Sequence, residues 1–377
     1  MKIVMVSIPS LHFFRWVNQL KDTEHEIYWF DITGMSKQVS RINWLHQKNN
    51  WKLKWDYPGR QFVKNKFPKL YKTIQIVNEY NTEAVFEAFI SEIQPDVVHS
   101  FALYLSCSPI LKTMNKYPKL KWVYSSWGSD LYYFQNESLY LKDIQAVLPR
   151  INYLFTDCNR DYEIAKNHGF KGVFLGVFPG GGGFELERME KYKLPLIARK
   201  TILIKGFQGR SGRVLSVLKA VEQISSRLKD YKIKVFGSDK EVIEYVKKRP
   251  IQNWNNFTIL GKISHEEVLQ LMGEALYYIG NSNSDGMPNT LLEAICMGAI
   301  PIQSNPGGAT EEIITNNVNG ILIEDCESIE KIVESIENAL KMNTLAEVQK
   351  YNFEEIALKI EYKVIEKAVR EKYLEIM

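Results

Sequence analysis

The chain repeats one local pattern from end to end: an apolar run of strand length, a turn, then a stretch of helical periodicity. KIVMVSI, EIYWFDI, DVVHSF, KWVYSS, YLFTDC and GVFLGV form one set of runs before about residue 180. TILIKGF, YKIKVFG, FTILG, LYYIGN, AIPIQS and GILIED form a second set after about residue 200. Apolar strands alternating with helices indicate parallel sheets, because each parallel connection crosses over through a helix. Two sets in 377 residues predict two doubly wound α/β domains, each long enough to bury its own core. We place the first at 1–178 and the second at 200–345. The glycine-rich, then charged, then proline-bearing segment 179–199 is the expected hinge, and 346–377 has helical periodicity throughout.

Composition narrows the class further. With 45% hydrophobic and 24% charged residues the chain reads as globular. Cysteines 107, 158, 296 and 326 form no C-x-x-C pair and no cluster with zinc spacing, so reduced, buried thiols of a cytosolic protein are expected. MKIVMVSIPS reads as a strand rather than a signal peptide, and no apolar stretch reaches the length of a membrane span.

The segment NSNSDGMPNTLLEAICMGAIPI, residues 281–302, carries the strongest chemical signal. Gly286 and Pro288 belong to a turn, Asn289 and Thr290 are good helix starters, and Leu291 to Met297 is a helical run closed by Gly298. A helix starting near Asn289 or Thr290 turns its free N–H groups and positive dipole end toward the loop of Gly286, Met287 and Pro288, a place for a diphosphate. Glu293 then lies one turn in, where a carboxylate accepts both hydroxyls of a ribose, and Asp285 in the loop is placed for the hydroxyls of a second ring. The alternative is a buried crossover whose acids are solvated or capping.

This segment resembles the C-terminal signature of glycosyltransferase family 4, in which an acid is followed by seven residues and a Glu. Ser282, Asp285, Gly286, Pro288, Leu292, Glu293, Ala294, Gly298 and Pro301 fall in register with it. NPGGATEEII at 305–314 is similar to the family's G-G-x-x-E-x-I segment, and FTILGKISHEEVLQLMGEALYYIG at 257–280 to the elements before the site. The first acid is Asp where the family has Glu, one methylene shorter. The resemblance implies a GT-B fold, two Rossmann-like domains facing across a cleft, with the C-terminal helix returning to the N-terminal domain. It also implies a retaining glycosyltransferase acting on a nucleotide-sugar.

Other candidates are placed by the same comparison. Family members carry an Arg after the glycine that ends the first strand of the second domain, whereas Phe207 follows Gly206 here. Lys205, Arg210 and Arg213 in IKGFQGRSGR are the expected diphosphate partners, in the order Arg213, Arg210, Lys205. In the first half, YSSWGSDLY resembles the family's H-G-x-D loop with Trp127 in place of His, so Trp127 and Asp130 are candidate acceptor contacts. His12 and Arg15 open the first helix and are candidates for the cleft. The absence of G-x-G-x-x-G argues against a nicotinamide dehydrogenase.

Residues 41–72 hold nine Lys/Arg against a single Asp, interleaved with seven aromatic residues. Such composition suits nucleic acid, a membrane interface, or a mobile loop over the site. An anionic membrane surface is the expected partner and nucleic acid is not, since the whole chain is only +4. A lipid-linked glycan acceptor at the cytoplasmic face of the plasma membrane follows, in bacterial surface polysaccharide synthesis. No Asp-x-Asp occurs, so no metal and no cofactor is expected. Two rivals stay open: a sugar-nucleotide epimerase of the same fold, and a non-catalytic membrane-associated binding protein.

Overall fold

The computed structural model describes residues 1–376 and divides them into two compact units. The first comprises 1–156, 161–181 and the chain's end from Val369; the second comprises 157–160 and 182–368. In the first, strands β1 (Lys2–Ser7), β2 (Glu26–Asp31), β3 (His46–Lys48), β4 (Val97–Phe101), β5 (Lys121–Ser125), β6 (Tyr153–Thr156) and β7 (Val173–Val177) form one parallel sheet. Their order is β3-β2-β1-β4-β5-β6-β7. In the second, β8 (Thr201–Lys205), β9 (Lys232–Phe236), β10 (Phe257–Ile259), β11 (Ala275–Gly280), β12 (Ile300–Ser304) and β13 (Ile321–Ile323) form another parallel sheet. Their order is β10-β9-β8-β11-β12-β13.

Both sheets reverse direction beside their first strand, between β1 and β4 and between β8 and β11. Loops at the carboxyl ends of strands flanking such a reversal diverge to opposite faces and leave a crevice. The apolar runs became strands because their side chains are needed on both faces: in the first sheet Val4, Val6, Phe30, Val98, Trp122 and Tyr124 are buried on one face and Ile3, Met5, Trp29, Val97 and Val123 on the other, and in the second Ile202, Ile204, Val235, Ile279, Ile300 and Ile302 on one face and Leu203 and Tyr278 on the other. Cys107, Cys158 and Cys296 are buried, as expected, and Cys326 is half-buried.

Three segments differ from the sequence expectation. Within 41–72, His46–Lys48 adds an edge strand beside β2, and Trp51 is buried, stacked on Phe30 at 5.1 Å with its Nε1 donating to the Asp31 carbonyl. Of residues 179–199, expected as a hinge, 182–199 are built into the second unit. Leu186 and Met189 join its core, and Arg199 donates to the carbonyls of Leu194, Ala275 and Met297. Of the C-terminal stretch, 346–368 stays with the second unit, where Val348 is a core residue and Asn352 bonds Asn319. Only the last turns join the first unit, with Val369, Tyr373 and Ile376 fully buried. Tyr373 is their anchor: its hydroxyl accepts from Trp16 Nε1 and lies 2.6 Å from His99 Nδ1.

Candidate functional site

In the second unit, the loops after β8, β11 and β12 are stitched together. Gly212 bridges Ser282, the Asn283 N–H donates to the Ser211 carbonyl at 2.9 Å, and the Ser282 N–H donates to Ser304 Oγ at 2.8 Å. A Cβ on Gly212 would lie 2.0 Å from the Phe207 carbonyl oxygen, so only glycine permits this fold of the loop. The helix that follows runs Asn289–Cys296, with Pro288 at its N-cap and no side chain capping it, and Gly298 ends it at φ +78°. Its start and stop are where the residue types place them. Pro288 offers no side chain of its own to the first-turn N–H groups, and the positive end of the helix dipole here suits an anion.

Glu293 lies on this helix, 5% exposed, between the fully buried Leu292 and Ala294. Its Oε1 is 2.7 Å from Nε2 of His265, the first residue of the helix His265–Glu274. Asp285 is half-buried; its Oδ1 accepts from the Gly286 N–H at 3.0 Å, and its carbonyl accepts from Arg160 at 2.8 Å. Arg160 also donates to the Pro306 carbonyl at 2.6 Å and so ties the β11 loop to the β12 loop. Glu312 accepts from the backbone N–H groups of Asn159 and Arg160, at 2.7 and 3.0 Å, and caps the helix Asn159–Asn167. Gly286 faces Asp157, whose carboxylate oxygens would be 2.3 Å from any Cβ there. Asp157, Arg160, Glu312 and His265 were missed in the sequence. Only His265 left a signal, directly after Ser264 in a capping box with Glu267.

The other candidates separate. Met287 is buried in the core, and Thr290 Oγ1 accepts from the Tyr278 hydroxyl at 3.0 Å. Asn289 is half-buried at the helix start. Arg213, expected first for the diphosphate, pairs instead with Glu327 and donates to the Gly212 carbonyl at 2.6 Å. Its backbone is locked to Asn281 in both directions. Arg210 is exposed in the loop and Lys205 half-buried at the end of β8.

In the first unit, His12 and Arg15 lie on the helix Leu11–Asn18, whose N-cap Ser10 accepts from the Phe13 N–H. The His12 ring is 6.0 Å from Trp127, Trp127 packs on Phe101 at 5.0 Å, and a Cβ on Gly181 would be 3.1 Å from His12 Nδ1. His12, Arg15 and Trp127 thus gather at the ends of β1 and β5. Asp130 does not join them. It is 3% exposed, and its Oδ2 accepts from the Leu103 N–H at 2.6 Å and the Tyr124 hydroxyl at 2.5 Å. Burial pushes its carboxyl up to about 7. Its work is to hold the backbone beyond β4, where Ala102 takes φ +64°.

Residues 198–355 match the family described as Glycosyl transferases group 1. A curated relative, an uncharacterized glycosyltransferase of Methanocaldococcus jannaschii, is 28% identical over 205 residues, 50% of this chain and 51% of its own. The chain spans about half the length of that relative. Sucrose-phosphate synthase from Thermosynechococcus elongatus superposes with a TM-score of 0.73 at 14% identity, over 100% of this chain and 98% of the other. HepE from Anabaena, solved in complex with UDP-glucose, gives 0.70 at 12% identity over 100% of both chains. TarM from S. aureus, solved with Fondaparinux, alpha-GlcNAc-glycerol and UDP, gives 0.71 at 10% identity over 100% and 99%. These likenesses establish the fold: two parallel-sheet, Rossmann-like α/β units of the GT-B kind.

Proposed function

We propose that the chain, carrying a glycosyl transferases group 1 domain over residues 198–355, is an enzyme that moves a sugar from a nucleotide-sugar to a lipid-linked glycan, with retention and without a metal. The observation that carries this reading is Glu293, buried one turn inside the helix that opens at the sheet reversal between β8 and β11. In this reading Glu293 accepts the ribose hydroxyls. The helix N-terminus receives the diphosphate, with Gly286, Pro288, Asn289 and Thr290 lining the approach, and Asp285 holds the sugar. Lys205, Arg210 and Arg213 supply positive charge, Arg213 leaving Glu327 to do so. Charge developing on the leaving diphosphate then meets donors already in place. The sugar's C1–O bond to phosphate breaks, the acceptor oxygen bonds C1 on the same face, and the acceptor's proton passes to the departing phosphate oxygen. No protein nucleophile is used.

The acceptor side of the proposal rests on residues 41–72. Trp55, Phe62, Phe67 and Leu70 are each about half exposed or more, and Lys54, Lys64, Lys66, Lys69 and Lys72 are exposed among them. The helix Arg60–Lys66 buries no residue at all. Apolar side chains ringed by lysine suit the interface of an anionic bilayer, each lysine contributing about 1 kcal/mol. Among the described residues no helix is long and apolar enough to cross a membrane. We place the protein at the cytoplasmic face of the plasma membrane in surface polysaccharide synthesis.

The test uses phosphatidylglycerol vesicles loaded with lipid-linked glycans extracted from bacterial membranes. Labelled sugar should enter the lipid phase only with protein and donor together. Donor isomerised without acceptor would mark an epimerase, and donor bound but never consumed a binding protein. Changing the five lysines to Gln should lower vesicle affinity by roughly a hundredfold or more. Unchanged co-sedimentation of that variant removes the membrane surface from the account.

A further inference from the structure

The geometry points to Tyr278 as a positioning residue that commits the Thr290 hydroxyl to donate to the diphosphate of the nucleotide-sugar; this rests on the reading of the helix start at Asn289 and Thr290 as the diphosphate site. Tyr278 lies on β11, fully buried, in the same core as Leu203, Met287 and Leu291. Its hydroxyl reaches the second residue of the helix Asn289–Cys296 and donates to Thr290 Oγ1 at 3.0 Å. Thr290 is half-buried, so this bond runs from the core to the rim of the site. Neither hydroxyl has another partner among the described residues. A second observation falls beside the same hydroxyl. Gln303 on β12 is 2% exposed, and its Oε1 has no partner. That atom and the Tyr278 hydroxyl both lie within 3.0 Å of where a Cβ on Gly280 would stand, so the glycine makes room for the two of them. Buried polar atoms without a partner are few in a native fold, and each asks for a reason such as a catalytic role or a bound ion.

A threonine hydroxyl can donate or accept, whereas a phosphate oxygen accepts. With one lone pair of Oγ1 taken by Tyr278, the hydrogen of Thr290 cannot turn to that side. It turns away from the core, to the end of the helix whose N–H groups and dipole favour an anion. Thr290 thus adds a side-chain donor to the backbone donors, set before the ligand arrives. A hydrogen bond to a charged phosphate oxygen is about twice as strong as a neutral one, so the setting matters. Without Tyr278 the rotor has no fixed position and part of the gain is lost. The competing account is that Tyr278 only pins the helix to β11. A pin changes stability and leaves phosphate recognition untouched.

Isothermal titration of UDP, GDP and ADP, each against its parent nucleoside, separates the two for the wild-type chain, Thr290→Val, Thr290→Ser, Tyr278→Phe and the double variant. The wild type should prefer the diphosphate of one base over its nucleoside by about a hundredfold or more, as several charged hydrogen bonds require. Thr290→Val should lower diphosphate affinity about tenfold, the size of one such bond, and leave nucleoside affinity within about twofold. Thr290→Ser, which keeps the hydroxyl, should stay near the wild type. Tyr278→Phe should lower diphosphate affinity about three- to fivefold with the nucleoside unchanged, and should add nothing to Thr290→Val in the double variant. Losses that simply add in the double variant show Tyr278 acting apart from Thr290 and overturn the proposal. So does a wild-type preference kept in Thr290→Val, or kept in a Tyr278→Phe chain whatever its Tm. Those results leave the diphosphate reading of the helix standing. A wild type that binds none of the three diphosphates, or binds diphosphate and nucleoside equally, overturns that reading together with the role of Tyr278.

Discussion

Glu293→Gln should bind the donor nucleotide roughly thirty- to a hundredfold more weakly than the wild type, with its unfolding temperature close to the original. The loss follows from the ribose contact proposed for the carboxylate. A buried acid bonded to a ribose diol contributes about 1.5–3 kcal/mol for each charged hydrogen bond, and every 1.4 kcal/mol is tenfold in affinity. The amide keeps one acceptor oxygen. It can face His265 or one ribose hydroxyl, but its NH2 group then points at a donor on the other side. The fold survives because the helix is held by the neighbours of Glu293, with Leu291, Leu292, Ala294, Ile295, Cys296 and Met297 all buried. Calorimetric titration of the donor nucleotide reads the effect directly. A Kd within threefold of the wild type places the ribose elsewhere.

Acid destabilisation traced to His99 is the second large effect. His99 is fully buried, stacked on Phe101 at 4.1 Å and Phe155 at 5.7 Å, with Nδ1 2.6 Å from the Tyr373 hydroxyl and Nε2 2.8 Å from Ser125 Oγ. Burial pushes its pKa down to about 3. The unfolded chain protonates this histidine near its ordinary 6.5, the folded chain only near 3, so between those values the unfolded state binds more protons. Stability from this group is complete above about pH 6.5 and is lost as pH falls toward 3, by up to about 4 kcal/mol. Asp130 opposes it. Its folded pKa of about 7 lies above its ordinary 3.8, so its contribution is complete at low pH and lost as pH rises through 7. The two slopes overlap, and the net curve of the wild type hides both. His99→Gln removes one: its unfolding free energy, followed by urea titration from pH 7 to 4, should fall with acid less steeply than that of the wild type. Parallel curves would show that His99 is protonated equally in both states. Because Tyr373 is also the anchor of the chain's last turns, the same acid step should loosen residues 369–376 from the first unit.

How much of this was legible in the sequence depended on whether the signal was local. The second sheet was readable strand by strand because its runs are apolar on both faces, and the helix Asn289–Cys296 because proline, asparagine and glycine mark its ends. β3 was not, since His46, Gln47 and Lys48 form a half-exposed edge that needs no apolar residues. Trp51 was read with the basic surface although its ring belongs to the core, because composition does not distinguish a tryptophan stacked on Phe30 from the exposed Trp55. Arg160 and Asp157 sit more than a hundred residues from the loop they brace, and such contacts leave no spacing to read. Asp130 misled for the opposite reason. Its loop looked like a binding motif, while the structure uses the carboxylate to pin the Leu103 N–H. Arg213 stood in the expected place, but its partner Glu327 lies beyond β13 and was invisible from the loop alone.

The account stands most directly on one measurement: thermal unfolding of the purified protein, with EDTA present, against UDP-, GDP-, ADP-, CMP- and dTDP-sugars. A ligand that binds only the folded state at a hundred times its Kd adds about 2.7 kcal/mol. The account predicts a selective rise in Tm for one nucleotide class, equal with and without EDTA and lost in Glu293→Gln. A flat response to every donor, or a rise that appears only when a divalent cation replaces EDTA, would contradict it.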